Sequence, residues 1–218
     1  MALILNIDTA VSGASFCVAR DGVVLTIEEY NDTKGQSAWL HEAIKISFEK
    51  NNLQLHDLDA IAVSNGPGSY TGLRIGLASA KGLCYTLQKP LITLSTLKIM
   101  AWSVKEFATD LICPMIDARR MEVFTALYEK NLKIIKEPAA YVLSENSFKE
   151  ELQHRKILFT GNGSLKFREL VVHPNAEYLE QELTADQMVP LSEADFLEKN
   201  FSDLAYCEPF YLKSVYIQ

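Results

Sequence analysis

The sequence lacks most of the features that would announce a location or a chemistry by themselves. No apolar run approaches the roughly 20 residues of a membrane span, and the N-terminal apolar stretch is short with no basic segment ahead of it. Neither a bilayer anchor nor a signal peptide is expected. Only four cysteines and four histidines occur in 218 residues. Cys17, Cys84, Cys113 and Cys207 are widely separated in apolar patterns, as suits buried, reduced thiols in a cytoplasmic protein. His41, His56, His154 and His173 share no compact ligand spacing, and there is no His-Glu-x-x-His string or glycine-flanked serine elbow. A metal site and an independent hydrolytic centre are therefore not expected. Basic residues are also scarce, 21 against 28 acidic, for a net charge of −7. A chain that grips nucleic acid unaided usually presents a basic face, so strong direct binding is disfavoured and only a local basic patch stays open.

What is present is an ordinary globular balance, 48% hydrophobic and 22% charged, in a length that suits one large or two small domains. The first half reads as three strands, Leu3 to Thr9, Ala14 to Arg20 and Val23 to Tyr30, the last two joined at Asp21-Gly22. An amphipathic helix over Ser37 to Lys50 follows, then a strand from Ala60, a helix from Thr71 to Leu87, a strand over Leu91 to Leu94 and a helix from Leu97 to Phe107. The second half opens alike, with strands over Leu111 to Asp117 and Met121 to Tyr128 around a turn at Ala118-Arg119-Arg120, continued by Leu132 to Ile135. Ser144 is expected to cap a helix through Leu152. A strand at Ile157 to Thr160 enters Gly161-Asn162-Gly163, a Leu165–Leu170 helix follows, and Ser192 with Asp195 forms a capping-box variant at a last helix. Both halves begin with an apolar strand ending in Asp and a turn, which fits a duplicated α/β fold of mixed sheets flanked by helices. The expected lobes are 1–105 and a reduced 106–218.

The densest signal is Ser64-Asn65-Gly66-Pro67-Gly68-Ser69-Tyr70-Thr71-Gly72-Leu73-Arg74-Ile75-Gly76. A buried strand ends in a glycine/proline turn, and a helix capped by Ser69 or Thr71 follows at once. Such a loop offers backbone N–H groups and a helix dipole to an anion or a partner. Together with Leu5-Asn6-Ile7-Asp8-Thr9-Ala10, Lys81-Gly82-Leu83, Asp117-Ala118-Arg119 and Glu208-Pro209-Phe210-Tyr211-Leu212-Lys213, the string closely resembles the TsaB (YeaZ-like) family. The resemblance runs end to end and is strongest over about the first hundred residues. It implies two actin-like (ribonuclease H-like) lobes that have lost their own catalysis. It also implies support of a TsaD-like enzyme forming threonylcarbamoyladenosine at position 37 of tRNA, a TsaE-like ATPase as a further partner, tRNA met only indirectly, and a homodimer when the chain is alone.

The candidate site residues follow from this frame. Asp8, Ser12 and Gly13 occupy the place of the superfamily's first phosphate hairpin, with Asp117 at the matching strand end of the second half. A vestigial phosphate site and a purely structural strand end both fit them. The adenine pocket of the superfamily has one candidate, Gly161-Asn162-Gly163-Ser164, which a simple turn also explains. No cofactor is predicted, and ATP or ADP is left room only at a subunit boundary. Where TsaD-type proteins carry two metal-binding histidines, the aligned positions hold Thr96 and Met100. The helix from Thr71 to Leu87 presents Leu73, Leu77, Ala80, Cys84 and Leu87 as an apolar stripe, while Gly72, Gly76, Ser79 and Gly82 flatten the rest. Glycine within a helix costs about 0.5–1 kcal/mol relative to alanine, so repeated use suggests close approach by this chain's own elements or by a partner's helices. The expected partner interface comprises Trp39, Leu40, Ala43, Ile44, Ser47, Thr71, Arg74, Ile75, Gly76, Ser79, Ala80 and Leu83. The alternatives are a small ATP-binding kinase or ATPase using Asp8, Gly13 and Asp117, and a glycoprotease-like peptidase.

Overall fold

The computed structural model describes residues 2–32 and 35–213. The chain forms two compact units, Met1–Thr96 with Leu183–Phe210 and Leu97–Glu182 with Tyr211–Gln218. In the first unit, β1 (Leu3–Asp8), β2 (Ala14–Arg20), β3 (Val23–Tyr30), β4 (Ala60–Gly66) and β5 (Leu91–Ser95) make one sheet in the order β3-β2-β1-β4-β5. Central β1, Leu-Ile-Leu-Asn-Ile-Asp, is buried along its whole length because both faces of the sheet are covered there. Edge strand β3 alternates between half-buried and exposed residues, and the Asp21-Gly22 turn that feeds it has both residues at positive φ, 50° and 75°. From α1 (Gln36–Lys50), Leu40, Ile44 and Phe48 meet Leu77, Ala80 and Cys84 of α2 (Tyr70–Leu87) over Leu5, Ile7, Phe16 and Val63 of the sheet.

The second sheet repeats the first. Its strands are β6 (Leu111–Asp117), β7 (Glu122–Glu129), β8 (Ile134–Val142), β9 (Ile157–Thr160) and β10 (Ala176–Leu179), in the order β10-β9-β6-β7-β8. In each unit the first three strands form an antiparallel meander, and the fourth and fifth run parallel to the first on its other side. Helices occupy matching places. After β5 comes α3 (Thr96–Val104), and α4 (Lys149–His154) and α5 (Ser164–Leu170) stand where α1 and α2 stand in the first unit. These are two actin-like lobes. The reduction of the second lies in its helices, of 6 and 7 residues against 15 and 18, since its sheet has the full five strands. Phe148, Phe159, Phe167 and Tyr178 stack or meet edge-on in its core, aromatic bulk standing in for helix length.

Several expected boundaries shift for local reasons. The meander's third strand runs over Ile134–Val142 instead of ending at Ile135, because Ala139, Ala140 and Tyr141 pair with Thr125, Phe124 and Val123. Ser144 does not cap α4: Ser144 and Ser147 close a turn on each other, and the helix starts at Lys149 behind Phe148 at φ 59°. The last helix, α6 (Val189–Leu197), starts earlier than Ser192, with proline in its first turn, and the Ser192 hydroxyl donates back to the Val189 carbonyl as an interior residue. Strand β10 had no counterpart in the sequence reading. The division into units also differs from 1–105 and 106–218. The first unit ends at Thr96, and Leu183–Phe210 returns to it, with Ser202 N–H donating to Leu91 O at 2.8 Å and Ala185 N–H to Ser15 Oγ at 3.0 Å.

Candidate functional site

The glycine loop is held closed by its own unit. Gly66 ends β4 at φ 112°, and a Cβ there would lie 2.5 Å from the Phe210 carbonyl, so the position admits only glycine. Phe210 N–H donates to Asn65 O at 2.8 Å, which lays the terminal Glu208–Phe210 segment along the loop. Of the two possible caps, Ser69 is the one used: its Oγ accepts from Gly72 N–H at 3.2 Å.

The same loop is packed directly onto the turn after β1. Ser69 N–H donates to Ala10 O at 2.7 Å, and the Thr9 hydroxyl to Gly72 O at 2.7 Å. A Cβ on Gly68, Gly72 or Gly76 would fall under 3.0 Å from Ala10 O, Thr9 O or Thr9 Oγ1. Close approach by this chain's own Thr9–Ala10 turn thus explains these glycines. Gly13 has φ 73° and abuts the Tyr30 carbonyl, while its own carbonyl accepts from Gln36 Nε2 at 2.8 Å. Ser12 is exposed beside it.

Asp8 is buried to 2% exposure, and burial pushes its carboxyl up from 3.8 to about 6. The backbone N–H groups of Thr9 and Ala10 and the nearby Ser64 hydroxyl pull the other way, although Ser64 Oγ makes no hydrogen bond of ordinary geometry. In the other unit, Asp117 is exposed and bound by Lys166 Nζ at 2.6 Å. The Asp8, Ser12 and Gly13 expected around a phosphate lie together at the turn after β1, Asp8 and Gly13 buried and Ser12 exposed. Among the described residues no three His, Cys, Asp or Glu side chains converge to hold a metal ion.

The expected interface residues divide by burial. Leu40, Ile44, Ser47, Gly76 and Ala80 lie in the core of their own unit. Thr71 and Arg74 are exposed, and Trp39, Ala43, Ile75 and Leu83 half-buried. Ser79 is nearly buried and pairs with His41 Nε2 at 3.1 Å across α1 and α2. Among the described residues no carboxylate contacts that imidazole, so the pair is an interhelical tie, unlike a catalytic set. Arg74 turns back on its own helix, donating to Tyr70 Oη at 2.5 Å with its guanidinium 4.9 Å from that ring.

What remains outward is a groove of about 470 Å³ lined by His41, Leu55, Ala78, Gly82, Leu83 and Thr86, among others. Gly82 has open space where a Cβ would stand, and Tyr85 beside it is 72% exposed. Ala78 and Gly82, one turn apart, are the flat positions of this face. Gly82 was among the residues expected to flatten the helix, but the expected interface held Gly76 and Ala80 and neither Ala78 nor Gly82, because the helical stripe alone does not say which side meets the sheet.

Comparison with known proteins decides the lineage. Residues 33–206 match the family model described as TsaD, tRNA N6-adenosine threonylcarbamoyltransferase. The tRNA threonylcarbamoyladenosine biosynthesis protein TsaB of Escherichia coli is 30% identical over 220 residues, covering 97% of this chain and 94% of that protein. The chain belongs to the TsaB family. The Bacillus subtilis TsaB is 35% identical over 126 residues, where the match spans 58% of this chain and 55% of that protein. The solved structure of YeaZ from Pseudomonas aeruginosa superposes with a TM-score of 0.84 at 22% identity, covering 97% and 100% of the two chains, and so shares the fold. In this TsaB-family chain the glycine loop is packed on its own Thr9–Ala10 turn, and an outward groove runs over α1 and α2.

Proposed function

We propose that this chain serves the formation of threonylcarbamoyladenosine at position 37 of tRNA as a noncatalytic subunit that binds a TsaD-like enzyme and orders its active cleft. Membership of the TsaB family over nearly the whole chain carries the reading. The packing of the glycine loop onto the Thr9–Ala10 turn favours a supporting role for the first lobe, because its small residues serve the unit's own packing. The outward groove on α1 and α2 supplies the surface: small residues at Ala78 and Gly82 admit a partner helix at short range, and Leu83 and Tyr85 offer apolar area beside them. A TsaE-like ATPase joins the assembly on family grounds, and the same face closes a homodimer when the enzyme is absent.

The test is co-elution of the chain with the TsaD-like enzyme of the same organism. Gly82→Arg and Ala78→Glu place bulk and charge on exposed positions, the first with open space where a Cβ would stand, so both variants are expected to fold and to lose the pairing. Wild-type chain eluting apart from the enzyme, or variants that pair as tightly as the wild type with unchanged melting, would defeat the reading or the assigned surface respectively. Gly76 and Ala80 are the wrong positions for this experiment, because substituting them breaks the lobe itself.

A further inference from the structure

We propose that the β6–β7 hairpin tip, through Arg119 and Arg120, is a phosphate-binding site that contacts the RNA backbone; this rests on the tRNA-modifying role proposed above. The tip is a three-residue loop, Arg119-Arg120-Met121, in which both arginines lie in the left-handed region, at φ 71° and 51°. Positive φ ordinarily selects glycine or asparagine, because other side chains crowd the backbone there. The arginines are held there. Glu122 N–H donates to Arg119 O at 3.2 Å and Ala118 N–H to Glu122 O at 3.0 Å, closing the turn. Asp117 Oδ1 accepts from Arg119 N–H at 2.6 Å, and Asp117 N–H donates to Asn162 Oδ1 at 2.8 Å. Lys166 Nζ bridges Asp117 Oδ1 at 2.6 Å and Arg120 O at 2.5 Å.

The charge arrangement points outward. The two carboxylates next to the turn are each taken by a lysine, Asp117 by Lys166 and Glu122 by Lys213, so neither engages an arginine. Among the described residues, no hydrogen bond or ion pair forms on the Arg119 or Arg120 guanidinium, and both residues are exposed. In a chain of net charge −7, two unpaired guanidinium groups on a braced turn form a local exception to the field of the molecule. Guanidinium forks match phosphate oxygens in pairs, and a turn fixed in advance loses little freedom when it binds. An acidic protein surface would meet the same charge; the RNA backbone is favoured because the reaction's substrate is itself a polyphosphate chain.

Arg119→Asn with Arg120→Gly tests this without endangering the fold, since asparagine and glycine each tolerate positive φ better than arginine does. Binding of an unmodified tRNA transcript is measured by fluorescence anisotropy across a salt series, on the chain co-eluted with its TsaD-like enzyme and on the chain alone at low salt. Melting should hold or rise, affinity should fall about tenfold, and the slope of log affinity against log salt should shrink by about 1 to 2. Arg119→Lys with Arg120→Lys should restore part of the affinity and most of the slope. Unchanged affinity and slope in the Asn-Gly variant would overturn the site, as would loss of co-elution with RNA affinity intact, which would assign the tip to an acidic protein. Failure of the wild-type chain to co-elute sinks the subunit role instead, and the low-salt measurement on the chain alone then still decides the hairpin.

Discussion

Asp8 shows what burial does to a carboxyl at the end of a central strand. Its carboxyl lies at the end of the central strand with 2% exposure, and its pKa rises from 3.8 to about 6. Between those values the folded chain holds more protons than the unfolded one, so stability is greatest below pH 3.8 and declines as pH rises through 6. The full shift corresponds to roughly 3 kcal/mol of strain from a buried charge above pH 6. Asp8→Asn keeps the shape and an oxygen to accept from Ala10 N–H, now at 3.3 Å, without the charge. The variant is expected to melt about 4–10 °C higher at pH 7.5 and to show little gain at pH 4. Equal gains at both pH values, or none at pH 7.5, would mean that desolvation of this carboxyl is not what limits the site.

At the scale of elements, α2 separates two kinds of glycine that look alike in the sequence. Gly72 faces Thr9 O so closely that a methyl group would force two backbone segments apart, whereas Gly82 faces open space. Gly72→Ala should therefore cost roughly 3 kcal/mol or more, as overpacking against backbone does. Gly82→Ala should stabilise the isolated chain by about 0.5–1 kcal/mol, the helix-propensity difference. Thermal melts of the two variants check both, and matching signs would contradict this account of the helix. The contrast also marks how far the sequence could be read. Leu3–Asp8, Ala14–Arg20, Asp21-Gly22 and the Ser69 cap were legible because apolar period and turn chemistry are local. Strand Ala176–Leu179 was not, being four half-buried residues whose pairing with Ile157–Thr160 is settled by tertiary contact. The outward side of α2 was hidden for a similar reason: Leu73, Ala80 and Gly76 form a stripe whichever way the helix is turned, and only the Thr9–Ala10 turn fixes which side is buried.

At the scale of the molecule, the first lobe is discontinuous, and no local pattern could have said so. Leu183, Ala185, Met188, Val189 and Leu191 are buried in that lobe although some ninety residues of the other lobe intervene in the chain. Lys81 Nζ donates to Ala205 O and Cys207 O at 3.2 and 3.1 Å, tying the returning segment to α2, and Phe210 reaches Asn65 at the glycine loop. Burying the four larger apolar side chains is worth about 6–12 kcal/mol at 1.5–3 kcal/mol each, comparable to the roughly 5–15 kcal/mol that a whole domain retains. A chain ending at Glu182 should accordingly lose the cooperative melting of its first lobe and associate through the uncovered sheet, as followed by calorimetry and size-exclusion chromatography. Adding a separate peptide of residues 183–210 should restore part of the transition, because the missing contribution is contact area. A truncated chain that melts as cooperatively as the full one would show that the returning segment only decorates the lobe. If it does complete the lobe, the glycine loop and the α1–α2 face beside it become fully formed only after residue 210 has been made, so the surface proposed for the enzyme is presented by finished chains alone.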